Sequence, residues 1–254
     1  MKSAYLTIDD APSSDFIAKV NYLHENNIPA LFFCIGEFIE PHLSAIQHAI
    51  RLGFVIGNHS FHHPHFSDLS LDDCKQEIRD TDELINHIYS NMGLERPGRY
   101  FRFPYFDTGG DVSGQAYEEK WSRPRSEWFK YEVPERRSAI QQYLRDLGYH
   151  QPAFKGINLR YSIDPRLLTS ADVRATFDQA EYWLNKPDAP LGLSSEEAIL
   201  ARIDEDYPYQ GRSLNRLDTV DIILMHDHEH TTALFYRIIA RYLEKDIQFL
   251  AISK

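Results

Sequence analysis

Two adjacent aspartates close the first apolar run of the chain. In the sequence AYLTIDDAPS, Asp9 and Asp10 follow a short run suited to a β-strand and precede a proline. Neighbouring carboxylates repel each other, and burying either one without a partner is unfavourable. A solvated turn would account for the pair, because aspartate is common in turns. The alternative is a site in which a cation binds one carboxylate and the other stays free to act.

Histidines are concentrated in a second stretch, GNHSFHHPHF, which holds four of them within seven residues. His59 and His63 are four residues apart, so on a helical turn they would share one face and could bind the same metal ion. With Asp10 they form a set of two histidines and one carboxylate that leaves positions open for water. This set suits catalytic zinc and also the non-haem Fe(II) oxygenases. Asp9, beside a ligand but not on the metal, would then be a base that takes a proton from water.

Further polar residues follow other apolar runs of the sequence. FRFPYF contains Arg102 and Tyr105, SID ends at Asp164, and LMH ends at His226. An arginine buried at a strand end would orient Asp9 and stabilise its negative charge. His226 could be a core histidine, but its position after an apolar run favours catalysis. In parallel α/β folds the carboxyl ends of the strands form the active-site face, so these residues are predicted to converge there.

The elements that would position these residues alternate along the chain. Segments with helical periodicity separate seven short apolar runs, which predicts a mostly parallel sheet with crossover helices. The expected fold is a single-domain α/β barrel over residues 1–254, closed or nearly closed. Two long stretches near 107–134 and 185–217 interrupt the alternation and are predicted to be loops at the rim of the active-site face. The predicted strands are 4–8, 30–35, 54–57, 100–103, 157–163, 220–225 and 247–252.

Composition limits the possible partners and surroundings of the protein. The formal net charge is −11 and no basic cluster is present, which argues against nucleic acid as a partner. Cys34 and Cys74 lie among apolar residues and are predicted to be reduced core residues. No apolar run approaches the length of a membrane span, and no signal peptide precedes the first strand. We therefore expect a cytoplasmic protein without a transmembrane segment, unless a leader has been removed; the oligomeric state stays open.

Taken in order, the stretches TIDD, HSFHH, RFPY and LMH resemble the metal-dependent polysaccharide deacetylases of carbohydrate esterase family 4. The resemblance covers most of the chain and fails in the two long loops. It implies a distorted (β/α)₇ barrel and one divalent metal ion held by Asp10, His59 and His63. Zinc is the expected metal, with Co²⁺, Ni²⁺, Mn²⁺ or Fe²⁺ as alternatives.

The same resemblance implies roles for five other residues. Asp9 would be the catalytic base, His226 the general acid, and Arg102 the group that tethers Asp9. The backbone N–H of Tyr105 would help to bind the oxyanion, and Leu224 would line the pocket for the acyl methyl group. The activity implied is hydrolysis of an N-acyl amide, N-acetyl above all, on an amino sugar or a related small amide.

One motif departs from the family pattern. The fourth motif, commonly two aspartates followed by a tryptophan, corresponds here to DPRLL. Asp164 matches the first aspartate, whereas Leu167 and Leu168 stand in place of the second aspartate and the tryptophan. The identity of the carboxylate that would orient His226 therefore stays open, with Asp227 or an aspartate of a long loop as candidates.

Two other classes of function stay in competition with the deacetylase. A non-catalytic carbohydrate- or metal-binding member of the same fold is suggested by the altered fourth motif, but it would not require Asp9, Arg102 and His226. A non-haem iron oxygenase is suggested by the ligand set, but HxxxH spacing, an adjacent base and a distant acid argue against it. Aromatic residues in the stretch 107–134 further predict an enclosed pocket for a small or lipid-linked substrate rather than an open groove for a polymer.

Overall fold

Six parallel strands form the sheet of the computed structural model, which describes residues 1–110, 134–161, 166–209 and 211–252. The strand order is β3-β2-β1-β5-β4, and β6 pairs with the beginning of β1. All five pairings between these strands are parallel. The strands are β1 (Lys2–Ala11), β2 (Ala30–Cys34), β3 (Val55–Asn58), β4 (Phe177–Asp178), β5 (Asp221–His226) and β6 (Ile247–Phe249).

Single bridges continue the sheet beyond β3. Asn58 bridges Phe101, and Phe101 in turn bridges Asp172, both in parallel orientation. The chain then runs from Asp172 into β4, which pairs with β5. The sheet therefore returns to its own start through short and irregular segments. The α/β fold predicted from the sequence, a distorted barrel of parallel strands, is confirmed.

The predicted strand at 157–163 is wrong. Residues 159–161 form a 3₁₀ turn, Leu159 is 49% exposed, and Asp164 lies outside the described residues. The place in the sheet belongs instead to the stretch from Asp172 through β4. Val173 and Phe177 of this stretch are fully buried, so it contributes the apolar side chains that a barrel strand requires. The predicted strand at 100–103 is present only as bridged residues.

Helices cover the outside of the sheet. The first helix shows the pattern, because Phe16, Val20 and Leu23 are fully buried on one of its faces. No helix within the described ranges is long and apolar enough to cross a membrane. Of the stretch 107–134, residues 111–133 lie outside the described part, and the expected enclosing loop falls mostly there. The helices are α1 (Phe16–Glu25), α2 (Gly36–Ile39), α3 (Leu43–Arg51), α4 (Leu71–Asn91), α5 (Pro134–Asp146), α6 (Glu196–Ala201) and α7 (Thr232–Glu244).

Candidate active site

An irregularity at the end of β1 explains how two neighbouring carboxylates can serve one site. Successive residues of a regular strand point to opposite faces of the sheet. Between Ile8 and Ala11, however, β1 advances three residues while its partner β2 advances two, from Phe32 to Cys34. Asp10 lies inside this shift with a left-handed φ of 61°. An extra residue of this kind re-aims a side chain, so Asp9 and Asp10 can both contribute to the same end of the barrel.

The carboxylate of Asp10 lies against two imidazoles. Its Oδ1 is 3.3 Å from Nε2 of His59 and 3.0 Å from Nε2 of His63. One ligand atom from each of the three residues lies within 4.8 Å of the others. Asp10 Oδ1 is buried and accepts no hydrogen bond from the part of the chain that the structure describes. A buried oxygen without a hydrogen bond, facing two imidazole nitrogens, fits the donor set of a divalent metal ion.

The protonation of these three residues follows from their surroundings. Burial acts to raise the pKa of Asp10, but the hydrogen bond from His228 and the close imidazoles of His59 and His63 hold it well below its ordinary value. Burial acts to lower the pKa of His59, but Asp9 and Asp10 outweigh it and raise that pKa. Burial keeps the pKa of His63 below its ordinary value. The carboxylate is thus ready to receive positive charge, which a metal ion would supply in place of protons.

Hydrogen bonds fix the histidine loop. Nδ1 of His59 lies 2.8 Å from the backbone oxygen of Arg102, which leaves Nε2 for the site. The amide oxygen of Asn58 accepts the backbone N–H of Ser60, whose hydroxyl accepts the backbone N–H of His63. Ser60 and His63 both have left-handed φ values, of 66° and 58°. Backbone strain of this kind persists where the surrounding contacts over-determine a site.

Arg102 holds the second aspartate. Its guanidinium is fully buried and donates from Nη1 to Asp9 Oδ1 at 2.7 Å and to the Thr7 hydroxyl at 2.9 Å. Nε donates to the backbone oxygen of Val173, and the guanidinium lies over the ring of Phe33, 4.5 Å from its centroid. This arginine thus has partners on several sides, which removes the penalty of burying an unpaired charge. Asp9 is oriented by Arg102 through Oδ1, and its other oxygen, Oδ2, lies 3.6 Å from Nε2 of His59.

His226 is brought to the site by the pairing of β1 with β5. In that register Asp9 lies directly opposite His226, and Leu224, buried two residues earlier, lies on the same face of β5. Nδ1 of His226 is 3.4 Å from Oε1 of Glu181, which also accepts the backbone N–H of His226. Burial acts to lower the pKa of His226, but the hydrogen bond and charge of Glu181 raise it to about 10. The raised pKa favours the protonated form of the His226 imidazole, which lies across from Asp9.

Glu181 is the residue that sequence reasoning missed. It stands in the stretch DQAEYW directly after β4, where Asp178 and Glu181 are three residues apart and Tyr182 follows. That spacing of two acids before an aromatic residue was the available signal. The suggested alternative, Asp227, is wrong, because its carboxylate accepts hydrogen bonds from Lys19 and Ser13.

The remaining predicted residue, Tyr105, lies at the rim of the site. The residue is 49% exposed, and its ring stacks on His65 at 3.9 Å between centroids and makes an edge contact with His63 at 4.7 Å. His228 is a second residue absent from the sequence prediction, and its Nε2 lies 2.8 Å from Oδ2 of Asp10. The sequence alone does not distinguish a loop histidine that contacts a buried aspartate from one that is exposed to solvent.

Comparison with known proteins agrees with this architecture. A family model described as polysaccharide deacetylase matches residues 1–120. The first 120 residues, just under half of the chain, are thus similar to polysaccharide deacetylases. A peptidoglycan-N-acetylglucosamine deacetylase of Bacillus cereus is 33% identical over 84 residues, which are 33% of this chain and 30% of that protein. A chitooligosaccharide deacetylase of Azorhizobium caulinodans is 32% identical over 104 residues, or 41% of this chain and 48% of that protein. The matches therefore span less than half of either relative.

Solved structures share the fold over nearly the whole chain. A family 4 carbohydrate esterase from Streptomyces lividans, in complex with acetate, aligns with a TM-score of 0.56 at 21% identity and covers 99% of this chain and 93% of its own. A family 4 pseudoenzyme from Bacillus anthracis aligns with a TM-score of 0.56 at 16% identity, over 96% of this chain and 61% of its own. At these identities the likeness shows the fold alone.

Proposed function

We propose that the protein is a metal-dependent deacetylase that hydrolyses an N-acyl amide, N-acetyl above all, on an amino sugar or a related small amide. The main observation behind the proposal is that three side chains suited to bind a metal ion lie beside a carboxylate and an imidazole, each of which is held by its own partner. Asp10, His59 and His63 form the ligand set. Asp9 is held by an arginine, and opposite it His226 is held by a glutamate.

A base and an acid on opposite sides of the acyl group fit amide hydrolysis. The oxygen of water forms a bond to the carbonyl carbon, and Asp9 accepts one proton of that water. The C–N bond breaks, and His226 donates a proton to the departing nitrogen. The products are a carboxylic acid and a free amine, and the proton on Asp9 is available to restore His226. The backbone N–H of Tyr105 would stabilise the oxyanion, and Leu224 would contact the acyl methyl.

A divalent metal ion held by Asp10, His59 and His63 would polarise the acyl carbonyl and acidify the attacking water. Zinc is our expectation, because two imidazoles and one carboxylate with an open position are typical of catalytic zinc. The three residues are held by neighbours that do not depend on the ion, as the contacts of His59 and His63 illustrate.

An N-acetylated sugar is the substrate class that the relatives support, since their names state deacetylation of peptidoglycan and chitooligosaccharides. The altered fourth motif, DPRLL, keeps a non-catalytic role as the competing proposal. Binding alone would not require the ion pair of Asp9 with Arg102 or that of His226 with Glu181. A single domain and a cytoplasmic location stay predictions from the sequence.

The decisive experiment strips the purified protein of metal and restores Zn²⁺ or Co²⁺. Release of acetate is then measured from N-acetylglucosamine oligomers, peptidoglycan fragments and small N-acetyl amides. We expect turnover that needs the metal and is absent in Asp9→Asn. Stoichiometric metal binding with no acetate release from any member of this panel would favour the non-catalytic alternative.

A further inference from the structure

We infer that His228 is a positioning residue for the metal site, which holds Asp10 in its ligating orientation. This inference rests on the proposed function, since it takes Asp10 as a metal ligand. Nε2 of His228 lies 2.8 Å from Oδ2 of Asp10, whereas His59 and His63 approach Oδ1. The two oxygens of a single carboxylate therefore have different partners.

The division of partners restricts how Asp10 can turn. Oδ1 of Asp10 faces His59 and His63, and Oδ2 is held by the hydrogen bond from His228. The carboxylate of Asp10 therefore cannot rotate without breaking that hydrogen bond. Hydrogen-bond partners of this outer kind orient metal ligands, and their loss typically weakens metal affinity by about 10- to 100-fold. His228 thus acts on the metal through Asp10 rather than by binding it.

The backbone of His228 is fixed in a way that suits this task. Its carbonyl oxygen accepts hydrogen bonds from Nζ of Lys19 at 3.0 Å and from the hydroxyls of Thr231 and Thr232 at 3.1 and 3.3 Å. Lys19 is buried and also pairs with Asp227 at 2.5 Å. The imidazole is therefore presented to Asp10 from an immobilised stretch of chain.

The same stretch is tied directly to β1. The backbone N–H of Asp227 donates to the backbone oxygen of Asp9 at 2.8 Å. Asp10 and His228, each one residue further along, are thereby held at a fixed separation. The rings of His226 and His228 stack, with centroids 5.6 Å apart, which limits rotation of the His228 ring.

Four variants of the full-length protein test this assignment. His228→Ala and His228→Phe both remove the N–H donor, and phenylalanine keeps a ring beside His226. His228→Gln keeps an N–H donor, and His230→Ala is the matched control, since His230 is exposed and stacks on His228 with centroids 5.3 Å apart. The dissociation constants of Zn²⁺ and Co²⁺ are measured on metal-stripped protein by competition with a chelator. Thermal melting verifies that each variant is folded.

We expect alanine and phenylalanine at position 228 to weaken affinity about 10- to 100-fold, with glutamine and the His230 control near the wild type. The visible spectrum of Co²⁺ at saturation should be unchanged in every variant. Unchanged affinity in both donor-free variants would overturn the inference. So would an altered Co²⁺ spectrum, because His228 would then be a ligand itself. A wild-type protein that binds neither metal would instead overturn the proposed function.

Discussion

On the β1 and β3 side of the site, the imidazoles of His59 and His63 approach an oxygen of Asp10 that accepts no hydrogen bond from the described residues. On the β4 and β5 side, Glu181 accepts the backbone N–H of His226 and lies against its imidazole. In the first arrangement one carboxylate oxygen faces two imidazoles, which suits a cation, whereas in the second one carboxylate lies against one imidazole and raises its pKa, which suits an acid. Changes to the first side should therefore act through metal content, and changes to the second through proton transfer.

The largest expected effect comes from removing the histidine ligands. His59→Ala combined with His63→Ala should abolish both bound metal and turnover, because a single carboxylate oxygen would remain of the three-ligand set. Metal content by elemental analysis, on protein verified as folded, gives the answer. Stoichiometric metal in the double variant would show that the ion binds elsewhere.

Glu181→Gln should leave metal content intact and lower kcat by about 10²- to 10⁴-fold, since the general acid loses the partner that orients it. The pH profile of the variant tests the role of Glu181 more specifically than the fall in kcat does. His226 must be protonated to donate, so activity falls as pH rises through its pKa. Glu181 contributes most to raising that pKa to about 10, with Asp10 and Asp178 adding to it, so neutralising Glu181 should move the falling limb of kcat/KM to lower pH.

The control for that prediction is Asp227→Asn, whose carboxylate is held by Lys19 and Ser13 rather than by His226. It should leave the falling limb where it is in the wild type, whatever its effect on stability. A limb that moves in Asp227→Asn and stays in place in Glu181→Gln would reverse the assignment of the orienting carboxylate.

The smallest expected effect is at the rim. Tyr105→Ala removes an aromatic ring that stacks on His65, while the backbone N–H assigned to the oxyanion stays. The loss of aromatic contact should raise KM by about 2- to 12-fold with little change in kcat. His62→Ala, a change on the loop that carries His65 at a residue that pairs with Glu77, should change neither constant. A large fall in kcat for Tyr105→Ala would assign the side chain itself to the reaction.

The sequence predicted the first side of the site better than the second. The elements that carry Asp10, His59 and Arg102 can be recognised in the sequence, because each is an apolar run that ends in a short polar motif. The register shift at Asp10 depends on the pairing of β1 with β2 and cannot be read from either strand alone. Glu181 was missed because β4 has only two residues. The stretch 157–163, whose described residues do not form a strand, has a more strand-like apolar pattern than β4.

We propose that the register shift in β1 separates two neighbouring aspartates into a base and a metal ligand. Metal content and turnover, measured side by side for Asp9→Asn and Asp10→Asn, test this claim directly. Asp9→Asn should keep about one metal ion per chain and lose turnover by about 10²- to 10⁴-fold. Asp10→Asn should lose metal affinity and activity together. Loss of metal in Asp9→Asn with retention in Asp10→Asn would contradict the account.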